Sequence, residues 1–426
     1  MRQFLTTDQV AERLGVKPAT VYAYVSRGLL PSRRNAAGKG SLFAKADVDA
    51  LIAGRKRATP NIQTGVTLIR DGGLFYRGHD ATELARDSTY EAVANLLWTG
   101  ELDHAPFPAN PEFVTLASRV GALLPSSARL ADRLRVTVAA IAAADPLRFD
   151  TTPAAVQATG RALTATMVAA LPLRAPSPAA SPSTGPAPVA SDPSPGSDLG
   201  PDPDPGSRSG PALVALGSAP IAEVLWPRLT AQVMSESGRR TMEAALILLA
   251  DHDIAASTLA ARVAASTRAH PYAVVGAGLA ALDGPLHGAA SEHVYPLLVR
   301  ALAGEDPVQV VSEHLRVSGG IPGFGHPLYP SGDPRAAALF ALLGDHPVHE
   351  AACGLADAVR SRSGIMPNID LTLAAFALRY GMPADAGEAV FAVARTAGWL
   401  AHALEEYANR PARFRPTGQY SGRPPA

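Results

Sequence analysis

Apolar residues recur at helical spacing over most of the chain. From Ser237 to Leu249 (SGRRTMEAALILL) they line one face of a helix, and Ser257 to Ala265 repeats the pattern. Strict two-residue alternation is rare. At Val66-Thr-Leu-Ile-Arg70 it is followed by Asp71-Gly72-Gly73 and then Leu74-Phe75-Tyr76, which predicts a β-hairpin. Near the start, Thr6 or Thr7 can cap a helix running through Gln9 to Leu14, and Gly15 ends it. Pro18 suits a first helical turn, so a second helix follows from Thr20 to Arg27. Val10, Leu14, Val21 and Val25 fall at helical spacing and predict a miniature core. Pro31 to Phe43 reads as a basic hairpin or wing, and Asp47 to Ile52 as a closing helix.

Charge sets this first segment apart. Residues 1–58 hold eleven Lys/Arg against four Asp/Glu, a net +7, whereas the whole chain is neutral with 38 of each sign. The remainder is therefore net acidic, and the chain as a whole is not steered to nucleic acid or membrane. Two short helices around a glycine turn make a helix-turn-helix. With its basic wing, the segment resembles the winged helix-turn-helix of the MerR and excisionase type. That resemblance implies DNA contact, with Thr20, Tyr22 and Ser26 entering the major groove and Arg33, Arg34 and Lys39 touching phosphates. Such modules also dock protein or merely accompany an enzyme, so both readings stand at this point.

Composition narrows the rest. The chain has 426 residues, is 47% apolar and only 6% aromatic, and is long enough for two or three domains. Abundant alanine and leucine favour helix. Residues 175–211 hold eleven prolines in 37 positions and no aromatic, a composition unable to offset its ordering entropy, so a disordered insertion is expected there. A lone cysteine, Cys353, excludes an intramolecular disulfide. Charges interrupt the apolar stretches of the N-terminus, and no charge-free run is long enough to span a bilayer. A soluble, cytoplasmic protein is expected.

Four glycine- or proline-marked segments present polar residues suited to chemistry. They are Asp251-His252-Asp253, Gly284-Pro-Leu-His287-Gly288, Pro322-Gly-Phe-Gly-His326-Pro327 and Met366-Pro-Asn-Ile-Asp370. Glycine lets backbone approach a ligand closely, and proline stiffens the loop that aims the side chain. Two histidines and an aspartate can serve as donor, acid and base. Metal binding is discounted, because no tight pair of histidines with a glutamate occurs. Among the eleven histidines, His79, His104, His293, His314, His346, His349 and His402 show no such setting.

The segments GPLHG, PGFGH and PNID, in this order, resemble the catalytic signatures of citrate synthases. The likeness runs from Val66 to the C-terminus apart from the Pro-rich insertion. It includes Tyr76-Arg77-Gly78, the late helix FAVARTAGWLAHALEE and the tail RFRPTGQYSG. It implies a mainly α-helical two-domain fold. The large domain would comprise residues 62–270 (with the insertion at 175–211) and 377–426, and the small domain 271–376. It implies condensation of acetyl-CoA with oxaloacetate, with no cofactor and no metal. His287 would hydrogen-bond the thioester oxygen, Asp370 would take the methyl proton, and His326 would donate to the ketone oxygen. His252, Arg335, Arg395 and Arg415 would hold oxaloacetate, and Arg415 would reach the site of the other subunit in a homodimer.

Elementary chemistry agrees with these roles. A methyl beside a thioester is a very weak acid, so a base acts only if the oxygen is stabilised at the same moment. His287 precedes a helix that begins near Gly288, and the helix dipole there favours the neutral ring. Guanidinium forks match the oxaloacetate carboxylates, and this role is expected for Arg335 and Arg395 in preference to structural ion pairs. The chain also departs from the family pattern. Ser291 stands where asparagine is common, Ala255 follows Asp251-His252-Asp253 where asparagine is common, and Pro327 replaces an arginine after His326. Arg360 or Arg362 could supply the lost phosphate contact to CoA. These departures leave open a 2-methylcitrate synthase using propionyl-CoA, a citryl-CoA lyase-like role, and a DNA-binding regulator whose enzyme body senses a metabolite.

Overall fold

A computed structural model describes residues 4–26, 30–34, 40–49, 51, 62–174, 219–416 and 422. The insertion expected at 175–211 lies outside the described residues. The chain divides into two compact units, Met1–Gln63 and Thr64–Ala426.

The N-terminal unit forms as its pattern dictates. Thr6 caps the Thr7–Leu14 helix through a reciprocal bond with Gln9, and Gly15 closes it in the left-handed conformation. The second helix runs Pro18–Ser26, and helix resumes at 45–49. Val10, Ala11, Val21, Leu30, Phe43 and Val48 are buried together, with Leu14 and Val25 packed against them. The wing is broader than a hairpin. Phe4–Thr6 and Arg33–Arg34 both pair antiparallel with Ser41–Ala44, giving three strands.

The larger unit is helical. Among the described residues its sheet is the expected hairpin, Thr67–Arg70 against Gly73–Tyr76, extended by His79–Asp80. Several helices share one opening signature, a capping side chain followed by proline: Asn110-Pro111, His270-Pro271, Asp306-Pro307, Asp333-Pro334 and His346-Pro347. The cap satisfies a free backbone N–H, and proline occupies a position whose N–H has no partner in any case.

The Ala386–Ala408 helix is buried nearly all round, as an apolar helix inside a large core must be. The Tyr90–Thr99, Pro153–Ala169, Glu236–Leu249, Ala256–Ser266 and Pro271–Leu282 helices pack against it. A second group comprises Ala290–Leu302, Pro307–Ser318, Pro334–Leu343, Pro347–Ser363 and Ile369–Arg379, packed mainly on one another. Ala290–Leu302 and Ile369–Arg379 also touch the Ala386–Ala408 helix. Among the described residues no helix is long and apolar enough to cross a membrane.

Candidate active site

His326 and Asp370 are set by two loops zipped together. Gly325 N–H donates to the Met366 carbonyl at 2.8 Å and Asn368 N–H to the Gly323 carbonyl at 2.9 Å. The Asn368 side-chain amide adds a bond to the Gly325 carbonyl. Gly323 has φ +84°, and a Cβ there would lie 2.8 Å from Val294, so glycine is required on both counts. Asn368 then caps the Ile369–Arg379 helix, which places Asp370 in its first turn. His287 sits in the turn between the Pro271–Leu282 and Ala290–Leu302 helices. A Cβ on the following residue, Gly288, would fall 2.5 Å from the Leu282 side chain, which explains glycine after the histidine.

These elements converge on a cavity of about 1240 Å³ whose wall includes His252, His287, His326, Arg335, Asp370 and Arg395. All six were expected to face substrate. The seventh, Arg415, is exposed and makes no ion pair among the described residues.

The ionisation states suit proton transfer. Burial pushes the Asp370 carboxyl up to about 7, against the pull of Arg335. No hydrogen bond to its carboxylate occurs among the described residues, so it can act as a base near neutrality. Burial, then the Arg395 charge, depress His287 to about 4, which keeps its ring neutral. Its Nε2 lies 2.8 Å from Ser257 Oγ, and its ring meets the edge of Phe391. Leu328 N–H donates to His326 Nδ1 at 3.2 Å. The neutral His326 ring must then carry its proton on Nε2, available to an acceptor in the cavity. His252 is held well below the usual histidine range by burial and then by Arg335 and Arg395. Its Nε2 lies 2.9 Å from Tyr329 Oη.

The two cavity arginines differ. Arg395 Nε donates to the Leu249 carbonyl at 2.7 Å, but its two terminal nitrogens are buried without a partner among the described residues. Burial lowers its pKa to about 10. Its guanidinium lies over the Phe391 ring at 4.6 Å, and both residues line the cavity. Arg335 corrects the sequence expectation. It forms a buried two-point ion pair with Asp333, at 3.0 and 2.8 Å. Asp333 also accepts from Ile369 N–H, so this pair braces the start of the Asp370 helix.

Other residues escaped the sequence reading. Ser257, Tyr329 and Asp333 hold catalytic candidates in place. His293 and His314 line the cavity although their sequence setting was plain. His402 is fully buried and bonds Asp251. Of these, only Tyr329, three residues after His326, had a local signal. Arg360 pairs with Asp357 on an exposed face, and neither it nor Arg362 lines the cavity. Among the described residues no group of three or more His, Cys, Asp or Glu could hold a metal ion. In the N-terminal unit, Tyr22 and Arg33 are exposed and Thr20 is half-buried. Lys39 and the side chains of Ser26 and Arg34 lie outside the described residues.

Known proteins bear on this arrangement. The citrate synthase C-terminal domain model matches residues 55–417, and a helix-turn-helix domain model matches residues 4–56. Citrate synthase 2 of Bacillus subtilis is 38% identical over 185 residues, 42% of this chain, and the match spans half of that protein's length. 2-Methylcitrate synthase 2 of Corynebacterium glutamicum is 30% identical over 369 residues, 82% of this chain and 88% of that protein. Among solved structures, citrate synthase of Thermoplasma acidophilum in ternary complex with carboxymethyl coenzyme A and oxaloacetate shares the fold. Its TM-score is 0.63 at 22% identity, covering 88% of this chain and 97% of that one. A family model matched over most of the chain, a relative matched along most of its own length and a common helical fold agree, and the chain belongs to the citrate synthase family, with a helix-turn-helix domain at its N-terminal end.

Proposed function

We propose that the chain is a citrate synthase, condensing acetyl-CoA with oxaloacetate and water to citrate and CoA. The observation that carries it is one cavity holding a near-neutral base, two neutral imidazoles and an unpaired guanidinium. Asp370 removes a proton from the acetyl methyl while His287 hydrogen-bonds the thioester oxygen, leaving an enol or enolate. The new carbon–carbon bond forms at the ketone carbon of oxaloacetate, and His326 gives its Nε2 proton to the ketone oxygen. Water then cleaves the citryl thioester. Arg395 and His252 hold the dianion, whose carboxylates match the guanidinium geometry of Arg395. Nothing in this sequence of steps calls for a metal or cofactor.

Release of free CoA by purified protein, with acetyl-CoA and oxaloacetate saturating, is the expected result. No release above background would reject the assignment. The same assay with propionyl-CoA decides the acyl group. One methylene changes binding by only about 1–3 kcal/mol, and relatives of both specificities match the enzyme body. A higher kcat/KM for acetyl-CoA is expected, and a clear propionyl preference would make the enzyme a 2-methylcitrate synthase.

Two assignments complete the reading. Arg415 acts on the site of a second copy in a homodimer. The helix-turn-helix unit contacts DNA, supported by exposed Tyr22 and Arg33. Duplex binding that weakens steeply with salt and discriminates sequence is expected. Loss of preference between duplexes would leave the unit as an appendage.

A further inference from the structure

The Ala386–Ala408 helix carries Arg395 at the cavity and, two turns on, a buried charged cluster. Arg262, wholly buried on the Ala256–Ser266 helix, contacts three of its side chains. It donates to Glu406 Oε1 and to Glu405 Oε2, each at 2.6 Å, and lies 2.6 Å from His402 Nδ1. Guanidinium has only donors, so His402 Nδ1 accepts and its proton sits on Nε2. That Nε2 faces Asp251 Oδ2 at 3.2 Å, and Thr67 Oγ1 donates to the same oxygen. Asp251 immediately precedes His252. One end of the cluster thus fixes the backbone beside a cavity residue.

The other end fixes the tail. Arg413 Nε donates to Glu406 Oε2 at 2.7 Å and its Nη2 to Oε1, a two-point grip. Arg268 bonds the Glu406 and Asn409 carbonyls, and Ala412 N–H donates to the Ser266 carbonyl, each at 2.7 Å. The chain therefore leaves the long helix, turns back on Ser266 and is pinned at Arg413. Arg415, two residues further, is exposed and makes no ion pair among the described residues.

We propose that Arg413 is a positioning residue for Arg415, and that partly exposed Arg413 joins the buried Glu406, Arg262, His402 and Asp251 in one brace linking the tail to the oxaloacetate site. This rests on the reading that Arg415 completes the site of a second copy. A guanidinium on a free tail samples a wide volume, whereas one held two residues from a buried anchor samples little. The anchor thus raises its effective concentration at its target. It need not touch substrate to do so.

The test is a double-mutant cycle on KM for oxaloacetate, read with kcat in the full-length protein. Arg413→Ala removes only a partly exposed side chain, and Glu406 keeps Arg262, so the body should fold. Arg413→Ala is expected to raise this KM about tenfold with kcat changed less. Arg413→Lys, which retains charge but loses the fork, should recover part of the loss. The double variant with Arg415→Ala should match Arg415→Ala alone, because the first change acts only through the second. Effects that multiply would mean a general structural role and overturn the proposal. If Arg415→Ala raises KM and Arg413→Ala does not, the positioning role alone fails. If Arg415→Ala leaves KM unchanged, the shared-site reading and the positioning role fall together.

Discussion

Asp370→Asn should lower kcat by about 10²–10⁴-fold, the usual contribution of a positioned base, while leaving oxaloacetate binding nearly intact. Asparagine keeps the shape of the side chain and the cap made by Asn368, and it removes only the ability to accept the methyl proton. The wild-type rate should rise with pH through about 7, where the half-buried carboxyl ionises. Stability should move the other way. The folded-state pKa lies above the ordinary carboxyl value, so the native state holds this proton more tightly than the unfolded chain. The stability tied to it is fully present below about pH 4 and is lost as pH rises through about 7. Asp370→Asn removes that loss, so the variant should melt higher than the wild type above pH 7, with the gap closing towards pH 4. Turnover within tenfold of wild type would remove Asp370 from the role of base. A pH-independent difference in melting would contradict the burial argument.

The sequence made some of this visible and hid the rest for physical reasons. Helix caps, the Asp71-Gly72-Gly73 turn and the glycine-flanked histidines are local, because each is dictated by the backbone within a few residues. The expected hairpin and the Glu236–Leu249 helix accordingly form within a residue or two of their predicted bounds. The supports of the site are not local. His402 and Asp251 are separated by 151 positions, and His287 and Ser257 by 30. A buried polar pair of that kind has no periodicity and no signature dipeptide. It becomes legible only when the long helix and its neighbours are packed. Arg335 shows the same limit. Its partner Asp333 is two residues away, yet nothing in the letters DPRA says whether the guanidinium turns to substrate or to its neighbour. The third strand of the N-terminal sheet escaped because Phe4–Thr6 is too short to alternate visibly.

The contrast between the two cavity arginines leads to the other large effect. Arg395→Met should abolish productive oxaloacetate binding without lowering the melting temperature of the free protein. Among the described residues the two terminal nitrogens of Arg395 are buried and unpartnered, and burial, aided by the Arg335 charge and only partly offset by Asp251, lowers the group to about 10. A buried charge that is compensated only in part opposes folding. Methionine retains much of the length and removes that charge. It loses the bond from the charged group to the Leu249 carbonyl, a contribution of about 1.5–3 kcal/mol. The balance favours a free protein at least as stable as the wild type. Substrate reverses the balance, because a carboxylate supplies the missing partner, and losing one side of such a pair costs about 2–5 kcal/mol, ~30-fold to several-thousand-fold in affinity. Titration calorimetry and melting with and without oxaloacetate should show both signs together: unchanged or higher melting alone, and no upward shift on adding ligand. Arg335→Met should behave oppositely, since it strands Asp333 in the core and should destabilise the fold by about 3–5 kcal/mol. If Arg395→Met melts many degrees lower while still binding oxaloacetate, Arg395 is a structural residue and the substrate's carboxylates are held elsewhere.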